Sequence, residues 1–204
     1  MLTNLKGAIL LATNNAGKRI ELQQLLSQLQ GLELLTPEMI GINLQIEETG
    51  SSYLENARLK AEAYRDVCGL VTLADDSGLE VDALGGEPGI RSARYAEKPG
   101  ATDADRRAYL LERLAGKLRP WTARFVACVV VSVPGEYSRY WEGECRGEII
   151  PEERGENGFG YDPIFYIPEM GKTMAELGDL EKNKVSHRGN AVRTALPDLK
   201  EMGF

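Results

Sequence analysis

The feature that most constrains the fold of this chain is the alternation of short apolar runs with helical patterns in its first half. The runs Ala8–Thr13 (AILLAT) and Leu70–Ala74 (LVTLA) are each typical of a short buried strand. Between them, a helix is expected to begin near Lys18 and to stop at Gly31, because four leucines follow the helical spacing i, i+3, i+4, i+7. These leucines are Leu22, Leu25, Leu26 and Leu29. Strands that alternate with helices are typical of a sheet covered by helices.

Capping residues predict two further helices. Ser52 followed by Glu55 fits a capping box, in which the hydroxyl and the carboxylate each accept a bond from an orphan amide. Thr102 caps a third helix in the same way. The helix after Ser52 carries Asn56 and Lys60 as i, i+4 partners, so these two side chains are expected on one face.

The second half of the chain follows a different pattern. Phe125–Val133 is strongly β-branched, a turn follows it, and Tyr137–Cys145 alternates less cleanly, which together predict antiparallel strands. A last helix is predicted from about Gly189, although Pro197 is expected to shorten or kink it. We therefore predict an α/β fold with a central twisted sheet flanked by helices, in two lobes of a single domain over residues 1–204.

The balance of charge argues against one broad class of function. The chain has 24 Lys and Arg residues against 31 Asp and Glu residues, a formal net charge of −7, whereas a general nucleic-acid binder needs a basic face. No apolar run approaches the ~20 residues that span a bilayer, and Met1–Lys6 lacks the layout of an export signal. We therefore expect a cytoplasmic protein with no polymeric nucleic acid and no membrane as partner.

Cysteine and histidine are too scarce for a typical zinc site. The chain has one His and three Cys, and the cysteines form no CxxC pair. They imply no disulfide framework and fit a reduced compartment best. A required metal would therefore be held by carboxylates, which favours Mg²⁺ or Mn²⁺.

The segment Thr13–Lys18 (TNNAGK) lies where the first strand is expected to meet the first helix. A turn at this point directs backbone amides and the positive helix end outward, which suits phosphate, and Lys18 adds a positive charge. The segment is not a Walker A loop, because Ala12 stands where the first glycine is required and Arg19 stands where Ser or Thr is required. A simple turn with a solvated lysine is the alternative.

Two acidic pairs are candidate metal ligands. Asp75-Asp76 follows an apolar strand, where crowded carboxylates are unfavourable unless a cation or solvent relieves them. Successive side chains on a strand point to opposite faces, so we expect one aspartate at the site and the other in a structural role. Glu47-Glu48 precedes the helix that carries Lys60. A solvated acidic loop and an Asx-type turn are the alternatives for the two pairs.

Two glycine-rich or basic turns close the list of candidates. In Gly158–Pro163 (GFGYDP), flanking glycines could leave the Phe159 ring exposed for stacking on a base, although aromatic packing on a turn is commoner. Lys182–Gly189 (KNKVSHRG) holds the single His beside an Arg, and a solvated basic turn is the alternative. Ser186 beside His187 does not make a catalytic triad, and the chain lacks a G-x-S-x-G motif.

Five of these segments occur in an order that resembles one known family. They are LATNNAGK, EETGSSYLENARLKAEA, LADDSGLEVDALGGEPGIRSARYA, GFGYDPIF and EKNKVSHRGNA. Together they resemble the Ham1/RdgB family of inosine triphosphate pyrophosphatases, from about Ala8 to about Leu199. Each segment alone is weakly specific, whereas five in order at matching separations are very specific.

The resemblance implies an activity, a fold and a set of site residues. It implies Mg²⁺-dependent hydrolysis of ITP, dITP and XTP to the monophosphate and pyrophosphate, by a homodimer of an elongated, two-lobed fold with a cleft between the lobes. The implied metal ligands are Glu48, with Glu47 as an additional or alternative ligand, and Asp76, which also matches the family's proton acceptor. The implied substrate contacts are Thr13, Asn14, Asn15, Ala16, Gly17, Lys18, Lys60, Ser77, Phe159, Gly160, Tyr161, Asp162, Lys182, His187 and Arg188.

These implications combine into a mechanism with named rivals. Asp76 would orient or deprotonate a water molecule that attacks the α-phosphorus, while the lysines and the metal neutralise charge. Donors on His187 or Arg188 would bond the 6-oxo group of hypoxanthine and xanthine, and adenine lacks that acceptor. A P-loop-like kinase or ATPase, a non-catalytic nucleotide-binding module and a Maf-like nucleotide pyrophosphatase are the competing classes.

Overall fold

The computed structural model describes residues 7–96 and 98–204. Met1–Lys6, on which the expectation about export rests, lies outside the described residues. The helices and strands are, in chain order, β1 (Ala8–Leu11), α1 (Ala16–Leu26), β2 (Glu33–Leu35), α2 (Tyr53–Cys68), β3 (Thr72–Val81), α3 (Asp103–Leu114), β4 (Trp121–Ser132), β5 (Arg139–Ile149), β6 (Phe165–Ile167), β7 (Lys172–Thr173), α4 (Asp179–Val185) and α5 (His187–Glu201).

The seven strands form one sheet in the order β2-β1-β3-β4-β5-β6-β7. Strand β1 pairs in parallel with β2 and with β3, and Leu10 is aligned with Leu35 on one side and with Thr72 on the other. Strand β6 pairs antiparallel with β5 and with β7. The predicted mixed α/β fold with a central sheet flanked by helices is therefore confirmed. None of the helices in the described part of the chain is long and apolar enough to cross a bilayer.

The chain divides into two compact units. The first comprises Met1–Asp76, Ala127–Gly143 and Arg188–Phe204, and the second comprises Ser77–Val126 and Glu144–His187. The single catalytic domain expected over residues 1–204 stays a prediction.

The first unit has an apolar core on each face of its sheet. On β1, Ile9 and Leu11 belong to one cluster with the four leucines of the α1 pattern, whereas Ala8 and Leu10 belong to a second cluster with Ala57 of α2. A strand buried on both faces needs a continuous apolar run, which explains why AILLAT does not alternate. The leucine pattern of α1 is thereby confirmed as a core-facing pattern.

The buried apolar residues described in the second unit include one core cluster. Leu110 and Leu114 of α3 pack in it with Leu79 of β3, and Phe125 of β4 packs against Phe165 of β6 at a ring-centroid distance of 4.5 Å. Tyr161, which belongs to the predicted base-binding segment Gly158–Pro163, is one of the buried members of this cluster.

Two boundary predictions were wrong in informative ways, and a third was right in part. Strand β3 was expected to end at Ala74, but it continues through the Asp75-Asp76 pair to Val81. Both aspartates are paired with cations, so the strand can bury them. Helix α5 begins at His187, close to the predicted start near Gly189, and continues past Pro197 to Glu201, so Pro197 does not end it and a kink there stays a prediction. Helix α1 ends at Leu26, and Leu29 beyond it still packs in the core.

The two capping predictions have different outcomes. Thr102 and Asp105 form both bonds of a capping box at α3. At α2, the Ser52 hydroxyl accepts from the Glu55 amide at 3.2 Å, but the Glu55 carboxylate accepts from the amide and hydroxyl of Ser51. Ser52 is therefore the N-cap as predicted, whereas the reciprocal bond goes to the residue before it.

Candidate active site

The predicted phosphate loop lies at the N-terminus of α1. Asn15 is the N-cap, and its side-chain oxygen accepts from the amide of Lys18 at 3.0 Å. The Thr13 hydroxyl accepts from the Asn15 amide at 3.2 Å, which fixes the turn between β1 and α1. Ala16 and Gly17 are the first two helical residues, and amides at these positions have no acceptor within a helix. The loop, including the exposed Asn14, can therefore bind an anion.

Lys18 begins a network of four alternating charges in the first unit. Its ammonium lies 3.3 Å from Oδ2 of Asp75. The same oxygen accepts from Nε and Nη2 of Arg188 at 3.0 and 2.9 Å, and Nη1 of Arg188 donates to Glu21 on α1. Asp75 and Arg188 are each only 1% exposed, so the network extends from the loop into the core.

Burial and charge act in opposite directions in this network. Burial by itself would raise the pKa of Asp75, but Arg188 and Lys18 outweigh it and hold that pKa well below its usual range. Burial lowers the pKa of Lys18, and the Asp75 carboxylate offsets part of that effect. Asp75 is therefore an ionised structural partner of the cations, as one aspartate of the pair was predicted to be.

Asp76 occupies a second polar cluster of the first unit. Its Oδ1 lies 3.1 Å from Nζ of Lys60, and its Oδ2 accepts from the side-chain amide of Asn56 at 3.3 Å. The ammonium of Lys60 also donates to Oε1 of Glu48 at 2.8 Å. Glu47 is exposed, whereas Glu48 is half-buried. The structure thus brings Lys60, Asp76 and Glu48 together and leaves Glu47 to solvent.

The environment of Asp76 suits a proton acceptor. Burial raises the pKa of Asp76, and the cations Lys60 and Lys18 offset this only in part. Burial would lower the pKa of Lys60, but the carboxylates of Asp76, Asp75 and Glu48 outweigh it and raise that pKa. A carboxylate with a raised pKa beside a fixed cation is a suitable general base.

The second unit holds the segment Gly158–Pro163, the predicted base-binding loop. Oδ2 of Asp162 accepts from the Phe159 amide at 2.8 Å and from Nζ of Lys182 at 2.6 Å. Asp162 and Lys182 are both buried, and the Lys182 ammonium lies 4.8 Å from the centroid of the half-buried Phe159 ring. Lys182 is therefore an internal partner of the loop, and its predicted contact with a nucleotide stays a prediction.

The other predicted residues of this unit have structural partners as well. The Tyr161 hydroxyl donates to the backbone carbonyl of Ser92 at 2.9 Å. His187 is buried, and its ring stacks on Phe125 at a centroid distance of 4.8 Å. Ser77 is half-buried on β3, directly after Asp76. Their proposed roles toward a nucleotide stay predictions.

Sequence reasoning did not single out several residues that hold these sites. Glu21 and Asn56 are buried polar partners of Arg188 and Asp76, and Asp103 and Arg107 contact the loop of the second unit. Only Asn56 had a usable signal, its i, i+4 spacing from Lys60 on α2. Glu21 lies among the leucines of α1, where the sequence pattern predicts that a carboxylate faces solvent.

Gly158 is a position where the loop needs glycine. Its φ is +74°, and a Cβ there would lie 2.1 Å from Oδ2 of Asp162. Gly160 also has a positive φ, +62°, but a Cβ there meets no atom within 4 Å. Alanine at either glycine therefore strains the backbone, but only alanine at Gly158 also clashes with a neighbouring side chain.

We expect Gly158→Ala to destabilise the protein more than Gly160→Ala. The left-handed conformation costs either variant about 1–2 kcal/mol. Gly158→Ala must also displace Asp162 from Lys182, and breaking a buried ion pair costs about 3–5 kcal/mol. Urea unfolding of both variants measures the difference, and equal losses of stability would contradict the packing described here.

Comparison with known proteins identifies the family. The profile of the Ham1 family matches residues 9–198. The dITP/XTP pyrophosphatase of Thermus thermophilus is 50% identical over 196 residues, which cover 95% of this chain and 92% of that protein. The dITP/XTP pyrophosphatase of Bacillus subtilis is 44% identical over 184 residues, with 90% and 92% covered.

Solved structures agree with the sequence comparison. The structure of a HAM1 protein from Coxiella burnetii matches with a TM-score of 0.85 and 42% identity, covering 95% of this chain and 98% of that one. The structure of the Staphylococcus aureus Ham1 protein matches with a TM-score of 0.83 and 40% identity, covering 96% and 99%. The chain therefore belongs to the Ham1 family.

Proposed function

We propose that this protein is a nucleoside-triphosphate pyrophosphatase that hydrolyses non-standard purine nucleotides, namely ITP, dITP and XTP, to the monophosphate and pyrophosphate. The observation that carries the proposal is the buried carboxylate of Asp76, which contacts Lys60 and lies on the strand that also anchors Lys18 through Asp75. The names of the relatives, dITP/XTP pyrophosphatase, support the same reaction.

The first unit supplies the groups that a triphosphate needs. A nucleoside triphosphate carries about four negative charges, and its phosphoryl chemistry depends mostly on positioning and on electrostatic stabilisation. Lys18 and Lys60 provide fixed positive charge, and the amides at the start of α1 provide donors. We propose that Thr13–Lys18 binds the phosphates and that Lys60 contacts them from α2.

Asp76 performs the proton chemistry in this proposal. Its carboxylate orients a water molecule toward the α-phosphorus and accepts a proton as the water attacks, and pyrophosphate leaves. Lys60 and Asn56 fix the two oxygens of Asp76, which holds the base in one orientation. A thiol nucleophile is disfavoured, because burial raises the pKa of both Cys128 and Cys145 to about 12.

The carboxylates beside Lys60 fit a magnesium ion. Glu48 and Asp76 already converge on one cation, the Lys60 ammonium, at 2.8 and 3.1 Å. Mg²⁺ is typically bound by one or two carboxylates together with substrate phosphates and water. Glu48 and Asp76 would therefore hold the ion, with Glu47 on the exposed side of the same loop. The ion would supply Lewis-acid polarisation and charge neutralisation at the phosphates.

Removal of divalent metal is expected to abolish turnover. Lys18 and Lys60 alone do not neutralise the charge of a triphosphate. Without the metal ion, the carboxylates of Glu48 and Asp76 repel the phosphates. Activity should fall by about 10²-fold or more in excess EDTA and return with Mg²⁺, and Mn²⁺ is expected to substitute for it. Pyrophosphate release with and without added metal measures this, and full activity in EDTA would remove the metal from the mechanism.

The second unit supplies the base-binding loop. We propose that the Phe159 ring stacks on the purine and that Gly160, Tyr161 and Asp162 shape the surrounding pocket. His187 was predicted to read the 6-oxo group and stays the candidate for that role. Arg188 was expected to share it, but its guanidinium contacts Asp75 and Glu21. We therefore propose that Arg188 acts on the phosphate-binding segment Thr13–Lys18, through its contact with Asp75, the partner of Lys18.

A panel of nucleotides tests the reaction and its substrate. Equal concentrations of ITP, dITP, XTP, GTP and ATP are incubated with Mg²⁺, and pyrophosphate and inorganic phosphate are quantified separately. We expect pyrophosphate from ITP, dITP and XTP. Release of inorganic phosphate, or a preference for ATP, would contradict the proposal, and binding of ITP without turnover would favour a non-catalytic module.

Two further properties belong to the proposal. We propose a homodimer, on the resemblance to the family, and light scattering in solution should give the mass of two chains. We also propose a cytoplasmic location, which the three free cysteines support because disulfides are rare in reduced compartments.

A further inference from the structure

Two side chains of α3, Asp103 and Arg107, bind the backbone amide and the backbone carbonyl of Gly160 in the base-binding loop. The amide of Gly160 donates to Oδ2 of Asp103 at 2.8 Å. The carbonyl of Gly160 accepts from Nη1 of Arg107, also at 2.8 Å. Gly160 has no side chain through which the core could hold it, so these two bonds fix its position and its left-handed conformation.

Both side chains are themselves held in place. Arg107 donates through Nε and Nη2 to the two oxygens of Glu153 at 2.8 and 2.9 Å, a bidentate pair that fixes the plane of its guanidinium. Asp103 is the first residue of α3 and is paired with Arg106. Its carboxylate is therefore fixed at a helix N-terminus, and its oxygen is directed to Gly160 by the backbone of α3.

Gly160 lies between Phe159 and Tyr161, the two aromatic residues that the proposed function places around the base. The Phe159 amide is bound by Asp162, and the Tyr161 hydroxyl is bound by the carbonyl of Ser92. With Gly160 held as well, the backbone on both sides of the Phe159 ring is fixed. Loss of either bond from α3 would release the peptide that directly follows Phe159.

We propose that Asp103 and Arg107 are positioning residues that determine how tightly the loop binds the purine base. The inference rests on the proposed function for the identity of the ligand. It assigns no contact between α3 and the nucleotide, because both residues act through the peptide of Gly160. A rigid loop binds its ligand without the cost of ordering the loop, so loosening the loop weakens base binding and leaves phosphate binding unchanged.

The test compares Arg107→Met and Asp103→Ala with a control on the same helix, Arg113→Met. Arg113 is paired with Glu87 at 3.1 Å and lies against the Tyr95 and Tyr109 rings, and its described contacts do not include the loop. We expect either test variant to raise KM for ITP by about tenfold with kcat nearly unchanged, and the control to match wild type. Arg107→Lys keeps one donor, so its KM for ITP should lie between that of wild type and that of Arg107→Met.

A phosphate-only probe separates loosening of the loop from general damage. Inorganic tripolyphosphate has no base, so its inhibition constant should be the same in wild type and in both test variants. Hydrogen exchange provides a readout that needs no turnover: the segment 158–162 should exchange faster in Arg107→Met and Asp103→Ala, and not in Arg113→Met.

Each outcome bears on a different claim. The inference is overturned if the test variants match the control in both KM and exchange, or if the tripolyphosphate constant rises together with KM for ITP. If wild type does not hydrolyse ITP, the proposed function fails. The exchange rates then still decide whether Asp103 and Arg107 hold the loop.

Discussion

Replacing Asp76 with Asn is expected to lower kcat by about 10²–10⁴-fold, the range that general acid–base catalysis contributes. The substitution keeps the shape of the side chain and its hydrogen-bonding capacity toward Lys60, but it removes the proton acceptor and one candidate metal ligand. Because burial already disfavours the charged form of Asp76, the neutral amide should be tolerated by the fold.

Steady-state kinetics on ITP and thermal unfolding together test this expectation. The control is Asp66→Asn, which neutralises an exposed aspartate of α2 in the same unit. We expect Asp76→Asn to unfold within a few degrees of wild type and to lose turnover, whereas Asp66→Asn should retain both. Near-normal kcat in Asp76→Asn would remove Asp76 from the chemistry.

Replacing Arg188 with Met is expected to cause a large loss of stability. The change leaves Asp75 and Glu21 buried without their shared cation, and breaking a buried ion pair costs about 3–5 kcal/mol. For a chain of this size each kcal/mol corresponds to about 2–4 °C, so Tm should fall by roughly 6–20 °C. Lys18 should also bind phosphate less well, because Asp75 loses the partner that orients it.

Arg193→Met provides the control for this prediction. Arg193 lies on the exposed side of α5 and is paired with Asn190, so its loss should change stability by about 0.5 kcal/mol or less. The preference for ITP over ATP should be the same in Arg188→Met as in wild type, because we propose that Arg188 acts on the phosphate-binding segment through Asp75 and not on the base. A Tm equal to that of the control, or a changed base preference, would contradict this assignment.

The fold could be predicted where a sequence pattern reports burial directly. The apolar run of β1 and the leucine spacing of α1 predict which faces pack in the core. Ser52 and Thr102 predict where α2 and α3 begin. The continuation of β3 through Asp75-Asp76 could not be predicted in the same way. It depends on Arg188, which is 113 residues away in sequence.

The candidate site could be predicted in composition and only partly in arrangement. The adjacency of Asp75 and Asp76 predicted that they would serve different partners, and the structure gives one to Arg188 and Lys18 and the other to Lys60. The sequence left the choice between Glu47 and Glu48 open, and the approach of Glu48 to Lys60 favours Glu48. These ion pairs arise from tertiary packing, which the local spacing of residues in the sequence does not predict.

Hydrolysis of ITP in ¹⁸O-labelled water tests the central claim most directly. If Asp76 directs water to the α-phosphorus, the new oxygen enters the nucleoside monophosphate, and the released pyrophosphate carries no label. Phosphorus NMR or mass spectrometry of the two products locates the label after a single turnover. We predict label in inosine monophosphate alone. Label in pyrophosphate or in inorganic phosphate would place the attack at another phosphorus and contradict the account.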